Sequence, residues 1–114
     1  MSQRADELPP MKPEAFTILL TLLDGPQHGY AILQRAQADP AARGVLQPGS
    51  LYRILARLLE AGLVAELSSA DVPADADSRR RYYRVTDDGR HVMAAESERM
   101  AALAATAQQR LAGS

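Results

Sequence analysis

The sequence predicts a mainly α fold carrying one small β-hairpin, and three stretches predict it. Over Pro48 to Val64, at about 100° per residue, Leu51, Ile54, Leu55, Leu58 and Leu59 share one arc of a helical wheel, while Ser50, Tyr52, Arg53, Ala56, Arg57 and Glu60 occupy the other. Beyond Gly62 the apolar period changes to two, first over residues 63 to 68 and again over 81 to 86. From Asp87 to Ala112 nothing breaks a helix. A chain of 114 residues is one domain by length, and at this size a partner subunit adds usefully to the modest surface it buries alone.

In chain order, residues 1 to 12 are polar and contain Pro9-Pro10, which reads as a flexible, extended arm. Pro13 opens a helix at its first turn and Glu14 sits against the positive end of the dipole. This first helix runs through Phe16, Ile18, Leu19, Leu20, Leu22 and Leu23 to a stop at Gly25-Pro26. It is apolar nearly all round, so it is either a plain core helix or one packed on two sides, the second by a partner subunit. His28-Gly29-Tyr30 leads into a second helix through Ile32, Leu33 and Ala36 that ends before Pro40. His28 has no second histidine or nearby carboxylate at ligand spacing and reads as a capping or packing residue. Residues 40 to 47 are a linker, and the amphipathic third helix completes a helix-turn-helix.

The two period-two segments pair as a β-hairpin, whose loop over residues 69 to 78 is too long and polar for a tight turn. A helix-turn-helix followed by such a hairpin is a winged helix. Thr86 caps the final helix, with Asp87 and Asp88 in its first turn. At about 1.5 Å per residue that helix spans roughly 39 Å, longer than a body this small can cover. Met93, Met100 and Ala107 repeat at seven, with Val92, Leu103, Ala104 and Leu111 alongside, a heptad stripe interrupted by Glu96 and Arg110. The stripe is read as a dimer seam, and a helix folded back on its own domain is the alternative. The organisation expected is therefore an arm over 1–12, a winged helix-turn-helix over 13–86 and a dimerisation helix over 87–114.

Composition narrows the function classes. Without cysteine there is no disulfide or thiolate metal site, and with only two histidines a zinc site would have to lean on carboxylates. No apolar run reaches the length of a membrane span and the first residues lack a signal-peptide core, so a cytoplasmic location with no membrane partner is expected. No cofactor is expected. The net charge of −1 carries no global nucleic-acid signature, so any such claim needs a local patch. Arg79, Arg80, Arg81 and Arg84 supply one in a short segment, in a chain whose only lysine is Lys12. Arginine favours planar contacts to phosphates and base edges, though abundant arginine and alanine also fit a compositional bias. On the third helix a hydroxyl, a phenol and two guanidinium groups one turn apart form a donor set suited to a DNA major groove; solvated surface arginines are the plainer alternative.

Four segments carry a family resemblance. They are Leu22-Leu23-Asp24-Gly25-Pro26-Gln27-His28-Gly29-Tyr30, the helix from Pro48 to Leu58, Gly62-Leu63-Val64, and Arg81-Tyr82-Tyr83-Arg84-Val85-Thr86-Asp87-Asp88-Gly89. In order and spacing, over roughly residues 14 to 90, they closely resemble the PadR family of bacterial transcriptional regulators. The resemblance implies a winged helix binding double-stranded DNA, a homodimer built through the last helix, and repression relieved by a small molecule. It also implies the short subgroup with a single C-terminal dimerisation helix. Position by position it puts Tyr30, Ser50, Tyr52, Arg53 and Arg57 at or near DNA, with Gly49 and Ser50 at a helix N-terminus suited to phosphate. For Tyr52, a ring packed at the edge of the apolar arc is an equal reading, and both hold if the hydroxyl alone reaches phosphate.

The chain departs from the family in its wing. Asp71, Asp75 and Asp77 stand where many relatives are glycine-rich and basic, and they repel phosphate. Either the tip points away or only Arg79, Arg80 and Arg81 touch the backbone, and the second reading is favoured. The chain also lacks tryptophan, which some short relatives use to stack flat ligands at the dimer centre. Phe16, Met93 and Met100 offer a smaller, adaptable pocket for a hydrophobic effector, or plain interface core. The expected dimer interface comprises Phe16, Met93, Met100, Leu103, Ala107 and Leu111. A repressor of an inverted-repeat operator is the expectation; regulation without a ligand and a protein-binding winged helix are the alternatives. An enzyme is not expected, since Ser50 and His28 lack any base-orienter arrangement and there is no phosphate loop.

Overall fold

The computed structural model describes residues 11–68, 70–72 and 80–114. Four helices and three strands follow the order α1 (Pro13–Leu22), β1 (Gln27–His28), α2 (Gly29–Ala38), α3 (Pro48–Glu60), β2 (Val64–Glu66), β3 (Tyr82–Val85) and α4 (Asp87–Ala112). The fold is mainly α with a small antiparallel sheet, as the periodicity requires. The sheet has one strand more than the hairpin: its order is β1-β3-β2, with Gln27 opposite Tyr83 and His28 opposite Tyr82. Two residues cannot display a period of two, which is why β1 is invisible in the sequence.

The core is built by the apolar arcs. Ile18, Leu19 and Leu22 of α1, Ile32, Leu33 and Ala36 of α2, and Leu51, Ile54, Leu55 and Leu58 of α3 close on Val64, Tyr83, Val85 and Met93. Residues 39–47 connect α2 to α3, but they are no free linker, because Leu46 is 1 % exposed within that core. It pins the connection and thereby the angle at which α3 leaves.

Two joints fix the sheet and the last helix relative to α3. The first ends α3: Gly62 has a φ of 76°, a region side chains avoid. From there its N–H donates to the Leu59 carbonyl at 3.1 Å and that of Leu63 to Leu58 at 3.0 Å, the paired bonds of a Schellman cap. The second starts α4. Thr86 Oγ1 accepts from the Gly89 N–H at 3.0 Å and donates to the Gly62 carbonyl at 2.7 Å, while the Thr86 N–H donates to Leu63 at 3.0 Å. A Cβ on Gly89 would lie 2.2 Å from the Leu63 carbonyl oxygen, so only glycine lets α4 start so close to the α3 cap.

Burial along α4 divides it. Gly89, Met93, Ala95 and Glu96 are buried, whereas every residue from Met100 onward is exposed. Glu96 is paired with Arg99 one turn on, so the carboxylate that interrupts the heptad stripe is neutralised within its own helix. Leu20 of α1 and Leu23, which caps its end, each remain 39 % exposed although their neighbours are in the core. Among the described residues no helix is long and apolar enough to cross a membrane.

Candidate nucleic-acid interface

The outward arc of α3 is presented as its wheel requires. Tyr52, Arg53, Ala56, Arg57 and Glu60 are exposed, with Gly49 beside them and Ser50 half-buried, while the leucine and isoleucine arc holds the helix against the core. No side chain caps the N-terminus of α3, whose first position is Pro48. Ser50 Oγ donates to the Gln47 carbonyl at 3.2 Å. Arg53 and Arg57 make no hydrogen bond or ion pair among the described residues, so both guanidinium groups are available to a ligand. They share the lining of a cavity of about 180 Å³ with Lys12, Glu14 and Ala15 at the start of α1. Lys12, which composition singled out but assigned to the arm, thus belongs to the same face. No local signal links it to a helix forty residues away.

Beside this arc lies a second group, held by the start of α2 and by β3. The ring of Tyr52 crosses over Gly29, where a Cβ would come within 2.7 Å of the phenol oxygen and 2.8–2.9 Å of ring carbons. Glycine at that position makes room for the tyrosine, which stays 61 % exposed. The phenol end of the ring lies over the Gly29 backbone while most of the residue stays open to solvent. Tyr30, 53 % exposed, carries the guanidinium of Arg80 at 5.8 Å from its ring centroid. Arg80 Nη1 also lies 3.0 Å from His28 Nδ1 and 3.3 Å from Nε2.

His28 is the cap of α2: its Nδ1 accepts from the Ala31 N–H at 3.1 Å, and its ring meets Tyr82 edge-on at 5.4 Å between centroids. Accepting at Nδ1 leaves the proton of a neutral ring on Nε2, and the Arg80 guanidinium lies against both ring nitrogens. His28, Gly29, Tyr30, Tyr52, Arg80, Arg81 and Tyr83 enclose a cleft of about 410 Å³. Within it the Tyr83 hydroxyl has a pKa raised above its ordinary value, by burial first and then by the Glu66 carboxylate, with the charge of Arg81 partly opposing. Tyr83 is therefore a neutral donor at neutral pH. Arg81 Nε is 3.6 Å from Glu66 Oε1.

The sequence-predicted residues thus fall into three places. Tyr30, Tyr52, Arg80 and Arg81 converge on the cleft; Gly49, Ser50, Arg53 and Arg57 lie on or beside the adjoining arc of α3. Arg79 and the aspartates Asp75 and Asp77 lie outside the described residues, and Asp71 accepts a hydrogen bond from Ser68 Oγ at 2.8 Å. Of the residues assigned to a dimer seam, Met93 is 5 % exposed inside the chain's own core and Phe16 is half-buried against it. Met100, Leu103, Ala107 and Leu111 are exposed. Two residues at the site carried no chemical signal in the sequence: Tyr83, which reads as an ordinary strand residue, and Glu66, which the period-two pattern places only on an outer face.

The arrangement offers what a nucleic-acid face would need: unpaired guanidinium groups on one exposed helix, flanked by tyrosines and wing-base arginines suited to phosphate. No group of three histidine, cysteine or acidic side chains able to hold a metal occurs among the described residues. The chain is 38 % identical over 86 residues to an uncharacterized 37.1 kDa protein in a Streptomyces fradiae transposon, a match spanning 75 % of this chain and 22 % of that protein. Its fold resembles that of a transcriptional regulator from Clostridium thermocellum (TM-score 0.69, 23 % identity, 83 % of this chain and 86 % of the other). A PadR family transcription regulator from Clostridium difficile is equally similar in fold (TM-score 0.69, 20 % identity, 85 % and 96 %). The family model of the PadR-like transcriptional regulators matches residues 18–95. The chain therefore belongs to the PadR-like family, a family of winged-helix, DNA-binding transcriptional regulators and not of enzymes.

Proposed function

We propose that this regulator is a homodimeric repressor that reads an inverted-repeat operator, with α3 of each subunit in a major groove. The observation that carries the reading is the pair of unpartnered guanidinium groups, Arg53 and Arg57, on the exposed arc of a helix whose other arc is locked into the core. In this reading Arg53 or Arg57 reads a base edge. Ser50 and Gly49 approach phosphate at the helix N-terminus. Tyr30, Tyr52, Arg79, Arg80 and Arg81 bind backbone phosphates and set the register. The arm over 1–12, of which residues 1–10 lie outside the described residues, precedes the DNA-binding unit over 13–86, and 87–114 joins two copies in the cytoplasm.

Support for the dimer comes from α4. Met100, Leu103 and Leu111 are 40 %, 66 % and 73 % exposed, and an apolar stripe on a long exposed helix needs a cover. Leu20 and Leu23, at the end of α1, are further exposed apolar side chains. A second copy supplies identical surfaces related by a two-fold axis. A hydrophobic effector would enter beside Phe16, where Met100 offers adaptable lining; Met93, already in the core, would be reached only by repacking. Such a ligand must favour the DNA-free state, since only differential affinity shifts the equilibrium.

Selection of bound fragments from the source genome tests the reading. Enrichment of an inverted repeat with half-sites about one helical turn apart, or a multiple of that, is expected. A protein that enriches no duplex at all is instead a protein-binding winged helix. Titrating hydrophobic compounds against the preformed complex tests the effector: if every compound that binds leaves DNA affinity unaltered, regulation is ligand-free.

A further inference from the structure

We propose that Glu66 is an internal competitor for Arg81, a carboxylate placed by the sheet where it holds down the grip of the wing base on any DNA duplex. The proposal rests on the DNA-binding reading above and adds to it a residue that lowers affinity. Arg81 Nε stands 3.6 Å from Glu66 Oε1, with the two side chains 77 % and 45 % exposed. The pairing is positioned by backbone: Glu66 is in register opposite Tyr83 on β3, and Arg81 is two residues before Tyr83 in the chain. Arg81 also lines the cleft shared by Arg80, Tyr30 and Tyr52.

A phosphate entering that cleft therefore meets a guanidinium whose charge is already partly spent on a carboxylate, the group whose oxygens most resemble those of a phosphate. Arg81 must leave Glu66 or be shared with it, and either course weakens its contact with the incoming phosphate. Arg53 and Arg57 have no such partner among the described residues. The brake thus acts on the sequence-independent contact and leaves the reading helix alone. Because phosphate contacts dominate non-specific binding, Glu66 lowers the occupancy of random duplex and shifts the weight of recognition toward α3.

The test is binding of the full chain to the genomic fragment it enriches most and to a scrambled duplex, at several salt concentrations, for wild type, Glu66→Gln, Arg81→Gln and the double variant. Glu66→Gln is expected to tighten binding to both duplexes by about two- to five-fold per bound chain, the range of an exposed ion pair, and to steepen the dependence of log affinity on log salt. In the Arg81→Gln background the same substitution should change neither quantity. If Glu66→Gln leaves affinity and slope as in wild type, there is no brake. If it tightens binding equally without Arg81, Glu66 acts only as bulk negative charge and the proposal is overturned. Wild type binding no duplex would overturn the DNA-binding reading itself, and this proposal with it.

Discussion

Replacing Leu103 by glutamate should separate the subunits while leaving each one folded. Leu103 is 66 % exposed in the single chain, so about two thirds of its surface remains for a partner to cover. Full burial of a leucine side chain is worth about 1.5–3 kcal/mol, so the uncovered share contributes about 1–2 kcal/mol per subunit and about 2–4 kcal/mol per dimer. A glutamate in the same place adds the cost of an unpaired buried carboxylate, several kcal/mol per copy. The total exceeds about 5 kcal/mol, which weakens dimerisation by more than about a thousandfold. Sedimentation equilibrium at micromolar concentration should then find wild type as a dimer and Leu103→Glu as a monomer, with unchanged helicity by circular dichroism because the residue touches no core side chain. A Leu103→Glu protein that stays dimeric with wild-type dissociation refutes the α4 seam.

Three further outcomes follow from the glycines and tyrosines of the fold. Gly89→Ala would drive a methyl into the Leu63 carbonyl, 2.2 Å away; with backbone on the other side nothing can swing clear, and a loss of about 1–3 kcal/mol is expected, read as a Tm lowered by about 5–15 °C. Gly29→Ala meets only the far end of Tyr52, so the ring should swing into solvent with stability within about 0.5 kcal/mol of wild type, while DNA affinity drops by about 0.5–1.5 kcal/mol per half-site as a positioned hydroxyl is displaced. The raised pKa of Tyr83 means that the unfolded chain releases that proton first, so stability should be intact below pH about 10 and fall as pH rises through the folded pKa. Denaturant titrations of wild type and Tyr83→Phe above pH 10 should show that share of the slope only in wild type.

What could be read in advance depended on range. The two arcs of α3 were legible because burial and exposure alternate at the helical period within one segment, and Leu51, Ile54, Leu55 and Leu58 are buried as that period requires. Capping was legible for the same reason: His28 and Thr86 each accept from an N–H three residues on. The strand β1 was too short to show a pattern. The placement of Lys12 beside Arg53 and Arg57, of Glu66 beside Arg81, and of Tyr52 over Gly29 arises from packing between distant segments, which no local period encodes. Met93 shows the limit of the heptad argument: a repeat of seven runs along α4, but the helix leaves its own core partway, so one stripe faces the chain's own interior at Met93 and solvent at Leu103.

Binding curves for wild type, Arg53→Ala, Arg57→Ala and Arg80→Ala on one enriched operator and one scrambled duplex, at several salt concentrations, test the central claim most directly. A guanidinium making a bidentate contact to guanine should cost about 1–3 kcal/mol per site when removed and relax preference at one base position, so at least one of the α3 substitutions should do so. Arg80→Ala should instead weaken both duplexes alike and lower the slope of log affinity against log salt by about one for each phosphate no longer neutralised, hence by about two in a dimer. The opposite result, Arg80→Ala altering base preference while Arg53→Ala and Arg57→Ala only shift overall affinity, would place the reading element in the wing and contradict the account.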